Sequence, residues 1–263
     1  MLKEFFSNPE LFKFFLIVAR LSGLVIFAPP FMNPKVSVQL KASLVFFLSV
    51  AVFPSVHHVP AVFPELYPEM GLVLAHELLV GFIIGFGVRL MFTTFQLAGE
   101  FIDKHIGFAM ASLVDPQTDV TVSILGSLLM NLALFVFIDF GGHLWVIKSF
   151  AGSFHSIPLL AGNFHMDGIL YHISELFFRS IIFAAEFSFP VIATVSLVYI
   201  AQGFLQRTIP QFQIFVVGFI FTITVGLSSV KLTLKHFAPA SEGIMEFFQE
   251  RIWFVITHLN HGG

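Results

Sequence analysis

Cysteine is absent from the 263 residues, so the chain cannot build a disulfide framework, a thiolate metal cluster or a cysteine nucleophile. Charge is scarce too: 11% of residues are Asp, Glu, Lys or Arg, against roughly 25% in a soluble domain. The net charge is -3 and no basic run occurs, which removes nucleic acid as a natural partner. Polar aromatics are few, with 3 Tyr and 2 Trp beside 37 Phe, and a protein in water has no need of so much ring surface without polar handles. What is abundant is apolar surface: 57% of residues are hydrophobic and the mean hydropathy is +0.91. This composition excludes a soluble enzyme and indicates a membrane protein.

In lipid the length is best counted in spans of about 20 residues, which leaves room for about six. Apolar stretches bounded by Pro, Gly or charge run at 14–29, 42–56, 72–97, 122–140, 176–201 and 211–230, with an amphipathic stretch at 241–259. All read as helix. The third runs on through Glu100 to Lys104, and the fifth contains Pro190, which removes a backbone donor and favours a kink. The expected fold is an all-α membrane protein of kinked helical hairpins, with roughly six long apolar helices plus a C-terminal amphipathic helix. The first stretch is expected to stay in the mature protein. Its flank carries Glu4 and Glu10 beside Lys3 and Lys13, its apolar part contains Arg20, and it ends in Pro29-Pro30 without a small-x-small cleavage pattern.

Alternating the loops across a bilayer puts Lys3, Lys13, Lys148, Arg179, Lys231, Lys235 and Arg251 on one side and Lys35, Lys41, Lys104 and Arg207 on the other. Seven against four is a weak bias for a polytopic protein. Charges also lie in or at the edges of the apolar helices: Arg20, Lys41, Glu77, Arg89, Asp139, Arg179 and Glu186. Each costs about 2.5–3.5 kcal/mol near the bilayer centre, so they are expected to face protein, a partner or water. Ser123, Ser127, Asn131 and Asp139 recur at multiples of four on the fourth helix, as a narrow polar stripe. Arg89, Gln96, Glu100 and Lys104 share a face on the third, beside a flat strip at Gly81-x-x-x-Gly85. Glu175, Arg179 and Glu186 do the same on the fifth, although Glu175 and Arg179 at i,i+4 would equally form a self-satisfying pair on a solvated face.

Catalytic constellations are missing. His76-Glu77 begins an H-E-x-x-H zinc pattern, but position 80 is Val. No G-x-S-x-G or G-x-x-x-x-G-K-[ST] occurs, so neither a serine hydrolase nor a nucleotide site is expected. No metal or other cofactor is expected either. The link from Gly107 to Pro116 does stand out. It is small, apolar and flexible in composition, and closes on Asp115 as an N-cap with Pro116 at the first helical position. From physics alone, a connector packed on its own subunit and a loop filling a pore mouth are both open, with Phe108 and Met110 as adaptable fillers.

Several passages resemble one family, the FliR-type export-gate subunits of the bacterial flagellar type III secretion apparatus, whose injectisome counterpart is the SctT type. Ala19-Arg20-Leu-Ser22-Gly23, Ala28-Pro29 and Lys41 look like its opening; Glu77, Gly81, Gly85 and Phe86 lead to Gly99-Glu100-Phe-Ile-Asp103 and to Gly107-Phe108-Ala-Met110-Ala with Asp115-Pro116. His143, Ser153 and Pro158 follow, and Arg207-x-x-Pro210-Gln211 with Phe215 and Gly218-Phe219 resembles the late signature. Gln213 stands where the family usually has Asn, and Ile220-Phe221-Thr222 where it has Pro-Leu-Lys.

The resemblance implies a scaffold and gate, not a catalyst. Residues 1–165 would be a FliP-like part with a plug loop at about 105–121, and residues 166–263 a FliQ-like hairpin with the C-terminal amphipathic helix. It implies assembly with FliP-like and FliQ-like subunits in the inner membrane at the flagellar basal body. An FlhB-like switch protein, an FlhA-like export protein, lipid and unfolded export substrates would be the other partners. Gly107, Phe108, Met110, Asp115 and Pro116 would carry the plug. Arg20, Lys41, Glu77, Arg89, Gln96, Glu100, Asp103, Lys104, Asn131, Asp139, Arg179, Glu186 and Arg207 would make interhelical or intersubunit contacts. Two alternatives are an injectisome subunit of the same family and a small-solute secondary transporter, which would also use midplane charges such as Arg89 and Asp139.

Overall fold

The computed structural model describes residues 8–32, 36–56, 67–108, 123–159, 166–208 and 214–258, and no strand occurs among them. The fold is an all-α membrane protein. Helix α1 spans Pro9–Phe27; it starts where Asn8 Oδ1 accepts the Glu10 amide at 3.1 Å, with proline at the first helical position. It stops at Ala28, whose successor Pro29 disfavours helical backbone before it. A single turn, α2 (Pro29–Met32), follows, then α3 (Val38–Val52), capped by the Ser37 hydroxyl on the Leu40 amide and ending in a 3-10 turn at Phe53–Ser55. Helix α4 (Tyr67–Ile106) is 40 residues long, α5 covers Ile124–Asp139 and α6 covers Gly142–Ser156. Helix α7 (Met166–Thr208) is 43 residues long, followed by α8 (Ile214–Leu234) and α9 (Phe237–His258).

One feature departs from the sequence expectation. Helix α6 was not foreseen, because His143, Lys148, Ser153 and His155 break up its apolar run. It is set off from α5 by Gly141, whose φ of 72° suits a residue without Cβ. Helix α7 runs on through Pro190 as one element. The proline leaves the Glu186 carbonyl without its usual donor, and the Pro190 carbonyl in turn accepts the Thr194 hydroxyl at 2.8 Å.

By length and composition, three helical stretches among the described residues could cross a membrane: Val38–Ser55, Met70–Ile106 and Leu170–Thr208. The count rises to as many as five if α5 with α6 and α8 with α9 each form one broken span.

By contact the chain forms two compact units. The first comprises Met1–Leu90, Gly141–Phe177 and Glu246–Gly263; the second comprises Met91–Phe140 and Phe178–Met245. Buried residues of the first include Phe12, Leu16, Ile84, Phe154 and Phe248, with a tight edge-on contact between Phe27 and Phe82 at 4.5 Å. Those of the second include Phe92, Phe95, Ile102, Leu129 and Val195. There the Phe237 ring lies 5.6 Å from both Phe95 and Phe187. The join expected near residue 165 concerns kinship of chain segments with other subunits, lies outside the described residues, and is a separate matter from these contact units.

Candidate functional site

In the first unit the polar residues converge on Arg20. Glu77, Gly81 and Gly85 lie at successive steps of four on α4, so they share one face. A Cβ at Gly81 would come within 1.8 Å of the Arg20 carbonyl oxygen, and one at Gly85 within 2.7 Å of the Leu24 carbonyl oxygen. The absent side chains let α1 lie backbone to backbone on α4. That approach brings the Arg20 guanidinium onto Glu77, with Nε and Nη2 reaching the same carboxylate oxygen at 2.6 and 2.5 Å. Helix α6 completes the set: Nη1 donates to Ser153 Oγ and Nη2 to the Ile157 carbonyl, each at 3.1 Å. The Phe154 ring lies 4.2 Å from the guanidinium carbon. The Ser153 hydroxyl in turn donates to the Phe150 carbonyl. Both charged side chains are wholly out of solvent, and a cation at the end of α6 also suits that helix's dipole. The sequence marks Arg20 and Glu77, and Ser153 as a family-like residue, but does not pair them, because the helix that carries Ser153 is masked by its broken apolar run.

In the second unit the same economy appears where the central segment leaves α4 and returns as α5. A Cβ at Gly99 would lie 2.3 Å from the Gly126 amide nitrogen, so α4 and α5 also cross backbone to backbone. One turn on, the buried Asp103 carboxylate accepts the Ser123 hydroxyl at 2.6 Å and the Leu125 amide at 3.1 Å, both on Oδ2. Ser123 Oγ meanwhile accepts the Gly126 amide at 2.8 Å, so it is the N-cap of α5. The Asp103 carbonyl accepts the amides of Gly107 and Phe108, each at 3.1 Å, and Gly107 takes φ of 98° to close that cap. The end of α4 is held from two further sides. The Tyr199 hydroxyl of α7 donates to the His105 carbonyl at 2.8 Å, and a Cβ on Gly107 would lie 3.3 Å from the Phe219 ring of α8.

The other expected residues fall into three groups. Some are satisfied locally: Gln96 donates to Glu100 at 3.1 Å, and Asn131 donates to the Ser127 carbonyl and Ser127 to the Ser123 carbonyl, up the polar stripe of α5. Glu175 is bonded to Arg251 of α9, a residue absent from the sequence-based set, while Gly218 lends its carbonyl to Gln202 at 2.9 Å. Gln202 also donates to Thr222, where the resemblance would have a lysine. A second group is exposed: Lys104, Asp139, Arg179, Glu186 and Arg207, with Lys41 and Arg89 half-buried. The third lies outside the described residues: Met110, Asp115, Pro116, Pro210, Gln211 and the side chain of Phe215. Among the described residues no cluster of three His, Asp or Glu could hold a metal.

The pattern of pins and glycine crossings runs through most of the chain, and so does the match to one family: a sequence model of "bacterial export proteins, family 1" covers residues 11–248. The chain belongs to this family. It is 32% identical to the flagellar biosynthetic protein FliR of Bacillus subtilis over 212 residues, 80% of this chain and 81% of that protein. It is 30% identical to the flagellar biosynthetic protein FliR of Escherichia coli K12 over 250 residues, 94% and 93% of the two chains, and 23% identical to that of Caulobacter vibrioides over 223 residues. The chain is thus a membrane-embedded bacterial export protein, and by this kinship a component of the flagellar export apparatus.

Proposed function

We propose that the chain is a structural and gating subunit of the flagellar type III export gate in the bacterial inner membrane. It builds the pore with FliP-like and FliQ-like subunits, beside FlhB-like and FlhA-like proteins, and unfolded substrates pass through. The observation that carries this reading is the unpartnered face of α7. Ile182, Phe189, Leu197 and Phe204 are all exposed on it, and Glu186 is exposed between Ile182 and Phe189 with no hydrogen bond or ion pair among the described residues. Apolar side chains can meet lipid, but a carboxylate set among them calls for protein or water. Neighbouring subunits would supply that contact. The loop that begins at Gly107 and Phe108 would close the pore by packing, which needs only a few kcal/mol between closed and open states.

Co-expression of a tagged chain with its FliP-like and FliQ-like neighbours, purification in mild detergent and mass measurement test the assembly. A defined complex far heavier than 29.4 kDa that contains all three is the expected result. A stable monomer or homodimer that ignores those neighbours would overturn it and direct attention to solute uptake.

A further inference from the structure

We propose that Asp103 is the positioning residue for the base of the central loop, one side chain and one carbonyl that together fix where the chain leaves α4 and where it enters α5. The inference rests on the gating reading of that loop and adds the device that holds it in register.

Three observations carry it. First, Asp103 serves both ends at once: its carbonyl closes the end of α4 through the Gly107 and Phe108 amides, and its Oδ2 receives the Ser123 hydroxyl and the Leu125 amide at the start of α5. These residues are about 20 apart in sequence, so a single group joins two distant points of the chain and lowers the freedom of the two helix ends. Second, the bonds form a relay. The Gly126 amide donates to Ser123 Oγ, and Ser123 donates onward to Asp103, so the N-cap of α5 is oriented by a carboxylate belonging to α4. A cap held in this way ties the rotation of α5 to α4. Third, Asp103 is 6% exposed, and its Oδ1 is buried without a hydrogen-bond partner among the described residues. A buried carboxylate with one oxygen doubly engaged and the other bare is a costly arrangement for a mere connector. The Gly99 to Gly126 crossing fixes the distance between the helices, and Asp103 fixes their register.

The test uses the co-expressed complex. Hydrogen exchange at the Leu125 and Gly126 amides reads the base of the loop directly, and an ion-conductance assay of the same preparations reads the gate. Asp103→Ala removes the shared acceptor and is expected to speed exchange at these amides by about tenfold or more. Asp103→Asn keeps one acceptor oxygen and is expected to restore most of the protection. Should Asp103→Ala assemble poorly, Ser123→Ala removes the acceptor of the Gly126 amide but leaves that of Leu125, and is expected to speed exchange at Gly126 while Leu125 keeps most of its protection; loss of protection at neither amide would overturn the relay. Exchange in Asp103→Ala within twofold of the parent, or equal loss in Asp103→Asn and Asp103→Ala, would overturn the proposal. Deletion of residues 108–113 separates the two ideas. If the deletion leaks ions while Asp103→Ala exchanges normally, the positioning role fails and the gate stands. If the deletion stays ion-tight, the gating reading fails and the exchange data judge Asp103 by themselves.

Discussion

With Arg20 and Glu77 both sealed from solvent, removing one charge strands the other, at a cost of about 3–5 kcal/mol, whereas replacing the pair by apolar residues of similar volume is often nearly neutral. Arg20→Met and Glu77→Leu are therefore each expected to lower the thermal stability of the detergent-purified protein sharply, and the double variant to recover a large part of the loss. A double variant as unstable as the two single losses added together would mean that the two side chains do not act on each other, and would overturn the buried-pair reading. The residues of this pin were legible in the sequence because charge inside an apolar run is conspicuous. Its geometry was not: Ser153 and the Ile157 carbonyl carry no such signal, and the same blindness hid Arg251, whose partner Glu175 looked self-sufficient four residues before Arg179.

Between helices, contact depends on what glycine leaves out. A methyl group at Gly99 would meet the Gly126 backbone at 2.3 Å, while one at Gly71 on the same helix would meet nothing within 4 Å. Gly99→Ala is expected to cut the yield of folded protein in a fluorescence-detected gel-filtration assay severalfold. Gly71→Ala should match or slightly exceed the parent, since alanine is favoured in a helix interior by about 1 kcal/mol. Equal behaviour of the two would contradict the backbone-on-backbone crossing. At this scale the sequence shows the Gly81-x-x-x-Gly85 strip by its spacing, but the Gly99 to Gly126 pair comes from separate helices and has no period to betray it. Helix ends likewise divide between local and distant partners. Asn8 was an ordinary cap, whereas the start of α5 rests on Ser123 and a carboxylate 20 residues away.

For the whole molecule the decisive quantity is length. Helices α4 and α7, with 40 and 43 residues, extend about 60 Å at about 1.5 Å per residue, twice a hydrocarbon layer of about 30 Å. They must tilt steeply or project from the bilayer, and the weak charge asymmetry of the loops is consistent with a chain that does not simply weave across it. Because the chain has no native cysteine, single cysteines at the exposed positions Leu170, Phe178, Phe189, Leu197 and Phe204 can be probed with a membrane-impermeant maleimide on the chain expressed alone. With the reagent supplied to both membrane faces, labelling is expected at one or more of them, since only about 20 consecutive residues can be shielded by lipid; protection of all five would then require a helix lying along the membrane plane.

The exposed face of α7 has a bearing on the life of the chain in the cell. A row of phenylalanine and leucine interrupted by a carboxylate is stable company for another subunit and poor company for lipid. If neighbouring subunits cover that face as proposed, a copy made in excess of them would keep it open, and the Glu186 carboxylate would then have to be met by water or by local thinning of the bilayer.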